Sequence, residues 1–97
     1  MDKIFNVGLI GCGHIAETYF RAHKYFNNFK IIKCADINHK AAIKCAKANK
    51  IKAVSIKEIL NDKKIKVILN LTIPAAHYSV ANQAIRHGKH VYSEKPL

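Results

Sequence analysis

The stretch from Val7 to Ala16, which reads VGLIGCGHIA, decides the fold of this 97-residue chain. An apolar run leads directly into a pair of glycines and then into helix-forming residues. This order predicts a strand, a tight turn and the first turn of a helix. Gly11, Gly13 and Ala16 give the spacing Gly-x-Gly-x-x-Ala, the alanine-ended form of the dinucleotide-binding fingerprint.

Each residue of this fingerprint has a physical role. Gly11 would permit the sharp turn, Gly13 would let the backbone approach a pyrophosphate, and Ala16 is small enough for close packing of helix against strand. The backbone N–H groups of His14 and Ile15, at the positive end of the helix dipole, would face the anion. A glycine-rich turn that serves only packing or a chain reversal is the alternative.

An acidic residue at the expected distance supports the dinucleotide interpretation. Asp36 lies 23 positions after Gly13, close to the spacing of about 20 at which a carboxylate accepts hydrogen bonds from the adenosine ribose. Its negative charge disfavours a 2′-phosphate, so the sequence predicts NAD, with NADP possible. His39 and Lys40 soften this preference, and the alternative is a helix N-cap or turn aspartate.

Composition argues against two other classes of partner. The net charge is +11, but the lysines are spread along the chain, and no aromatic residues accompany the one cluster at Lys63, Lys64 and Lys66. We therefore expect a solvated basic surface and no nucleic-acid partner. The apolar runs are far shorter than the ~20 residues that span a bilayer, and the N-terminus lacks a signal-peptide core, so we expect no membrane partner and a cytoplasmic location.

The spacing of cysteines and histidines predicts no metal site. Cys12, Cys34 and Cys45 are odd in number and form no Cys-x-x-Cys pair, which argues against a disulfide framework and against a zinc site. Cys12 could be reactive at a helix start, although a small-residue role is favoured. The histidines likewise lack metal-ligand spacing; they stand at positions 14, 23, 39, 77, 87 and 90.

The rest of the chain alternates strands with helices. Apolar patterns predict strands at 4–10, 30–35, 53–54, 66–71 and 90–93, and helices at 13–26, 39–48, 55–60 and 75–87. The fold class is therefore α/β, a Rossmann-type doubly wound parallel sheet of five strands in the order 3-2-1-4-5. Helical spacing predicts these inward-facing residues: Ile15, Tyr19, Ala22, Phe26, Ala41, Cys45, Ala48, Tyr78, Ala81 and Ile85.

Four motifs in this order resemble the amino-terminal domain of the Gfo/Idh/MocA oxidoreductase family. They are the residues 11–16, Ala35-Asp36, the run from Asn70 to Pro74 with His77 following, and the run from Gly88 to Pro96. The resemblance implies an NAD- or NADP-dependent oxidoreductase that acts on a hydroxyl of a sugar or cyclitol.

The resemblance also implies roles for individual residues. Lys95 would be catalytic, near the nicotinamide and the reacting hydroxyl, where it polarises the substrate or relays a proton. Glu94 would line the ribose side of the nicotinamide pocket. Thr72 and Pro74 would contact the middle of the cofactor, and His77 its outer edge. A cis bond between Lys95 and Pro96 is expected as well.

The family's second, α+β domain, which binds the sugar and usually forms the oligomer, does not follow within these 97 residues. We therefore expect a single dinucleotide-binding domain, residues 1–97, truncated from a longer two-domain protein and inactive alone. The sugar or polyol would bind through the missing domain, and the whole protein would be a homo-oligomer. The alternatives are a non-catalytic NAD(H)-binding module and a basic nucleic-acid-binding domain. Strand five would leave an exposed sheet edge that favours self-association.

Overall fold

A computed structural model describes residues 5–23 and 28–93 of the chain. The strands are β1 (Phe5–Ile10), β2 (Phe29–Ala35), β3 (Lys52–Ala53), β4 (Val67–Asn70) and β5 (His90–Ser93), and the helices are α1 (His14–His23), α2 (His39–Asn49), α3 (Ile56–Asn61) and α4 (Pro74–Arg86). The predicted elements are all present, and those of their predicted ends that fall on described residues agree within one or two residues. Ile4 and Phe26, at predicted ends of the first strand and helix, lie outside the described residues.

The strands form one parallel sheet in the order β3-β2-β1-β4-β5, which confirms the predicted fold class. The central strand β1 pairs with β2 on one side and with β4 on the other. At its carboxyl end, Ile10 lies opposite both Ala35 and Asn70. The loops that follow β1, β2 and β4 therefore leave the sheet side by side, at the point where the strand order reverses.

Helices cover both faces of the sheet. On one face, α1 and α2 pack on a cluster that includes Leu9, Ile31 and Leu69. On the other face, α3 and α4 pack on a cluster that includes Ile10 and Ile68. Residues 7–10 of the central strand β1 are all buried between the two helix layers, which is why this stretch is continuously apolar and does not alternate.

The predicted inward faces of the helices are only partly correct. Tyr19 and Cys45 pack against the core, whereas Ile15 and Ala48 are exposed. Tyr78 is 81% exposed and Ile85 is 62% exposed, although both were predicted to face inward. Small side chains make most of the helix contacts with the sheet, because they let the backbones approach closely. The buried helix residues on the three long helices are Ala16, Phe20, Ala42, Ala46, Val80 and Ala84.

Local signals set the helix ends. The Ser55 side chain accepts a hydrogen bond from the Glu58 N–H at 3.0 Å, as the predicted capping box requires. Gly88 ends α4 with φ +74°, and its N–H donates to the Ile85 carbonyl at 2.9 Å. In the described ranges, 5–23 and 28–93, none of the helices is long and apolar enough to cross a bilayer.

Candidate functional site

Three loops meet at the carboxyl edge of the sheet and are bonded to their neighbours. The Gly11 N–H donates to the Ala35 carbonyl at 2.9 Å, and the Leu71 N–H donates to the Ile10 carbonyl at 2.8 Å. The glycine turn between β1 and α1 therefore sits between the loop after β2 and the loop after β4. This arrangement brings most of the residues predicted for the site to one edge.

The two glycines of the turn have different environments. Gly11 has φ +105°, and a Cβ there would lie 2.6 Å from the Leu71 carbonyl carbon and oxygen, so the chain itself excludes any side chain. A Cβ on Gly13 would meet nothing within 4 Å. Nothing in the described chain thus requires glycine at position 13. The open space beside Gly13 fits the close approach of a pyrophosphate.

The start of α1 completes the glycine turn. Helix α1 begins at His14, so the N–H groups of His14 and Ile15 belong to its first turn, where the helix offers them no carbonyl partner. Ala16 is 2% exposed, and its N–H donates to the Gly13 carbonyl at 3.1 Å. The small side chain at position 16 lets the helix approach the sheet, as the fingerprint predicts. The first turn of α1 is therefore a suitable site for an anion.

Asp36 joins the glycine turn to the loop after β2. Its Oδ2 accepts a hydrogen bond from the Cys12 N–H at 2.7 Å, and its Oδ1 accepts from the Asn38 N–H at 2.8 Å. The N-cap of α2 is Asn38, whose side chain accepts from the Lys40 N–H. Asp36 is thus a turn aspartate but not the helix cap. A carboxylate has about four lone-pair sites, so it can also accept from ribose hydroxyls.

A buried amide shapes the loop after β4. Asn70 is fully buried, and its Oδ1 accepts from the Thr72 hydroxyl at 2.7 Å and from the Thr72 N–H at 3.3 Å. Its Nδ2 donates to the His77 carbonyl at 2.9 Å. Pro74 is the first residue of α4. Asn70 therefore fixes Thr72, Pro74 and His77 relative to one another, a positioning role that sequence reasoning did not assign.

His77 has an unsatisfied polar atom. Its Nδ1 is buried and has no hydrogen-bond partner within the described part of the chain, while the ring lies edge-on to Tyr78 with centroids 6.3 Å apart. A buried polar atom without a partner costs about 1–3 kcal/mol. The expected contact between His77 and a cofactor therefore does not follow from this atom, which is closed off from the surface.

Three cysteines far apart in the sequence meet beside the glycine turn. The Sγ atoms of Cys12, Cys34 and Cys45 all lie within 4.8 Å of one another. The interaction between the neighbouring Cys12 and Cys34 thiols raises the pKa of Cys12 and lowers the pKa of Cys34. Burial raises the pKa of Cys45 to about 11. Sequence spacing gave no signal of this cluster, because the pairing of β1 with β2 and the packing of α2 on the sheet create it.

The remaining predicted residues follow β5. Ser93 pairs with Asn70, so β5 ends at the same edge of the sheet as β4. Glu94 and Lys95 come next in the sequence and lie outside the described residues, as does the expected cis bond between Lys95 and Pro96.

Comparison with protein families assigns this chain to a known family. Residues 5–97 match the model of the Gfo/Idh/MocA oxidoreductase family, described as an oxidoreductase family with an NAD-binding Rossmann fold. The chain belongs to this family. Because the match covers the glycine turn and all five strands, the chain is the NAD-binding Rossmann domain of the family, as the resemblance in the sequence predicted.

Solved structures agree with this assignment. A levoglucosan dehydrogenase in complex with NADH and L-sorbose is 26% identical, with a TM-score of 0.85 over 97% of this chain and 28% of its own. The biliverdin reductase of Synechocystis, solved with biliverdin and NADP⁺, is 26% identical, with a TM-score of 0.85 over 95% of this chain and 29% of its own.

A third relative, an NAD-binding oxidoreductase of Klebsiella pneumoniae, is 30% identical, with a TM-score of 0.79 over 95% of this chain and 27% of its own. The chain therefore spans less than a third of the length of each of these three proteins. No curated protein sequence matches it.

Proposed function

We propose that this chain is the cofactor-binding part of an NAD-dependent oxidoreductase that transfers a hydride between nicotinamide and a hydroxyl of a sugar or polyol. The observation that carries the proposal is the open space at Gly13, in a turn that hydrogen bonds hold at the sheet edge. The choice of a sugar or polyol as substrate is supported by the similarity to a levoglucosan dehydrogenase that was solved with L-sorbose.

In this proposal, different residues bind different parts of the cofactor. Gly11, Gly13 and the first turn of α1 bind the pyrophosphate, and Asp36 binds the adenosine ribose. Thr72 and Pro74 contact the middle of the dinucleotide, and His77 contacts its outer edge.

Two residues beyond β5 complete the proposal. Glu94 lines the nicotinamide ribose, and Lys95 is the catalytic residue that polarises the substrate hydroxyl or relays its proton. The nicotinamide, when bound, supplies the hydride chemistry.

Substrate binding belongs, in this proposal, to an α+β domain outside the 97 residues. Its support is that the chain spans 27% to 29% of its solved relatives. We propose that the whole protein is a cytoplasmic homo-oligomer, and that residues 1–97 alone turn over no polyol. Turnover of a sugar or polyol by the isolated chain, measured as NADH formation, would contradict the need for a second domain.

A fluorescence titration with NADH and NADPH tests cofactor binding. The chain contains no tryptophan, so protein emission interferes little with the nicotinamide signal. Saturable NADH binding at about 0.15 M salt, unaffected by a duplex oligonucleotide, supports the proposal. Absence of dinucleotide binding together with salt-sensitive oligonucleotide binding would contradict it and favour the basic nucleic-acid-binding alternative. Binding without turnover by the longer protein would favour the non-catalytic module.

Asp36 makes the choice between NAD and NADP testable. Replacing Asp36 by Asn removes the negative charge but keeps an acceptor for one of the two loop N–H groups, whereas replacing it by Ala removes both. We expect each variant to raise the affinity for NADPH relative to NADH by about tenfold, equivalent to ~1.4 kcal/mol. The quantity to measure is the ratio of the NADPH and NADH affinities, because distortion of the loop alone would weaken the binding of both cofactors equally. An unchanged ratio would show that Asp36 does not select the cofactor.

A further inference from the structure

The cysteine cluster draws on three separate elements. Cys12 lies in the turn after β1, Cys34 in β2 and Cys45 in α2, and these are the three cysteines of the chain. Cys34 is fully buried, and the other two are partly buried. Because a paired strand and two packed segments hold them, the three sulfur atoms are preorganised and are not brought together by chance motion of a loop.

The spacing of the sulfur atoms suits a metal ion. When three points lie within 4.8 Å of one another, some position lies within about 2.8 Å of all three. A zinc–thiolate bond is about 2.3 Å long, so shifts of about half an ångström would bring all three sulfurs to bonding distance. Thiolate ligands select soft, thiophilic ions such as Zn²⁺ and Cu⁺.

A pocket gives access to the cluster from solvent. This pocket, between α1 and α2, has a volume of about 340 Å³, and both Cys12 and Cys45 line it. It can supply a water molecule as a fourth ligand to a tetrahedral ion. Three thiolates with Zn²⁺ carry one net negative charge. The pocket is also lined by one cationic and one anionic side chain, Lys44 and Glu17. The Asn49 amide lies 4.0 Å from the Cys45 sulfur and is placed to donate to a metal-bound thiolate.

The hydrogen bonds that the thiols lose on binding a metal are weak. The Cys12 thiol donates to the Ala35 carbonyl at 3.5 Å, and the Cys34 thiol donates to the Ala42 carbonyl at 3.5 Å. Thiols are weak donors, so the loss of these two bonds costs little compared with three metal–sulfur bonds.

We propose that Cys12, Cys34 and Cys45 form a three-thiolate binding site for a Zn²⁺ ion, with water from the pocket as the fourth ligand. This proposal departs from the expectation of no metal site, which rested on spacing along the sequence. The Cys12 N–H is hydrogen-bonded to Asp36, while the Cys12 side chain lies with the other two cysteines. Gly13 and Ala16 also line the pocket, so a bound metal ion would lie beside the proposed pyrophosphate site.

Titration of the reduced chain with Co²⁺ under anaerobic conditions tests the site. A count of three free thiols before the titration ensures that none is oxidised. We expect binding of one Co²⁺ per chain with sulfur-to-cobalt charge-transfer bands in the near ultraviolet, and loss of those bands when Zn²⁺ displaces Co²⁺. Replacing Cys45 or Cys12 by Ser should weaken Zn²⁺ binding at least about 100-fold, since even outer partners of a metal site contribute 10–100-fold.

Controls separate this site from chance binding and from misfolding. His87 is exposed at the end of α4, on the opposite face of the sheet from α1 and α2, and replacing it by Gln should leave metal binding unchanged. Far-ultraviolet circular dichroism and metal-free thermal unfolding establish that each cysteine variant is folded. Metal binding without sulfur charge-transfer bands, or equally tight binding by a folded Cys45→Ser variant, would overturn the proposal, as would binding of Cu⁺ with no binding of Zn²⁺.

Discussion

Positions 11 and 13 both carry glycine, but the physical reason for glycine differs between them. Position 11 has a positive φ and almost touches the backbone of the loop after β4, whereas position 13 faces open space. The first glycine is therefore a requirement of the fold and the second a requirement of the proposed ligand. A fingerprint read from sequence alone gives both glycines the same weight.

Alanine substitutions separate these two roles. We expect Gly11→Ala to lower the free energy of unfolding by about 1–3 kcal/mol, because a Cβ is strained there. Gly13→Ala should change stability by no more than about 0.5 kcal/mol, as at an unconstrained surface position. The same Gly13→Ala variant should weaken NADH binding at least about tenfold, since the Cβ would occupy the pyrophosphate position.

Urea unfolding and NADH titration of the two variants measure these effects. Gly13→Val extends the series with a larger side chain in the same open space. Unchanged NADH affinity in both Gly13 variants would show that the turn does not hold a pyrophosphate.

Two elements are joined by an ion pair that makes stability depend on pH. The Lys33 Nζ of β2 lies 2.7 Å from the Asp62 Oδ2 that follows α3, and this pair holds the pKa of Asp62 below its ordinary value. Because the folded pKa is lower than the unfolded value of about 3.9, the contribution is present above that pH. It is lost as the pH falls through the folded pKa of Asp62.

We predict that Asp62→Asn lowers the free energy of unfolding at pH 7 by about 1 kcal/mol and flattens its decline below about pH 4. Urea unfolding at pH 7 and at pH 3 measures both effects. Glu58→Gln is the matched control, since the Glu58 carboxylate is 3.8 Å from the Lys33 Nζ and its side chain is 52% exposed. An equal loss of stability in the two variants would contradict the assigned role of Asp62.

At the scale of the whole molecule, β5 ends the sheet within the described residues. The strand pairs with β4 on one side, and Tyr92 is 57% exposed. Beside it, Phe5, Val67 and Leu69 line an apolar pocket of about 370 Å³. An edge strand with free backbone groups and an adjacent apolar surface favours association with another chain.

We predict that the 97-residue chain self-associates reversibly, with a mean mass in sedimentation equilibrium that rises with concentration. Tyr92→Lys should lower the association constant by about tenfold, since a lysine on an edge strand opposes pairing. Ile85→Lys is the control, because Ile85 is 62% exposed on α4 and should not affect the edge. A chain that stays monomeric at high concentration would contradict this prediction.

The sequence by itself determined the order of strands and helices, the glycine turn, the cap at Ser55 and the stop at Gly88. These are local properties, set by a few neighbouring residues through periodicity, backbone freedom and capping. The strand order also followed, because short connections and right-handed crossovers leave few ways to build the sheet. Recognition of the family came from the same local motifs.

Only the tertiary structure decided which residues meet. It buried four alanines of the helices, while Tyr78 and Ile85 are exposed. It also gathered three cysteines that no spacing rule connects. It also turned Lys89, one of many lysines expected in solvent, into a buried residue whose Nζ donates to the Asp62 and Ile65 carbonyls. These outcomes depend on distances between segments far apart along the chain, and packing of the folded sheet sets those distances.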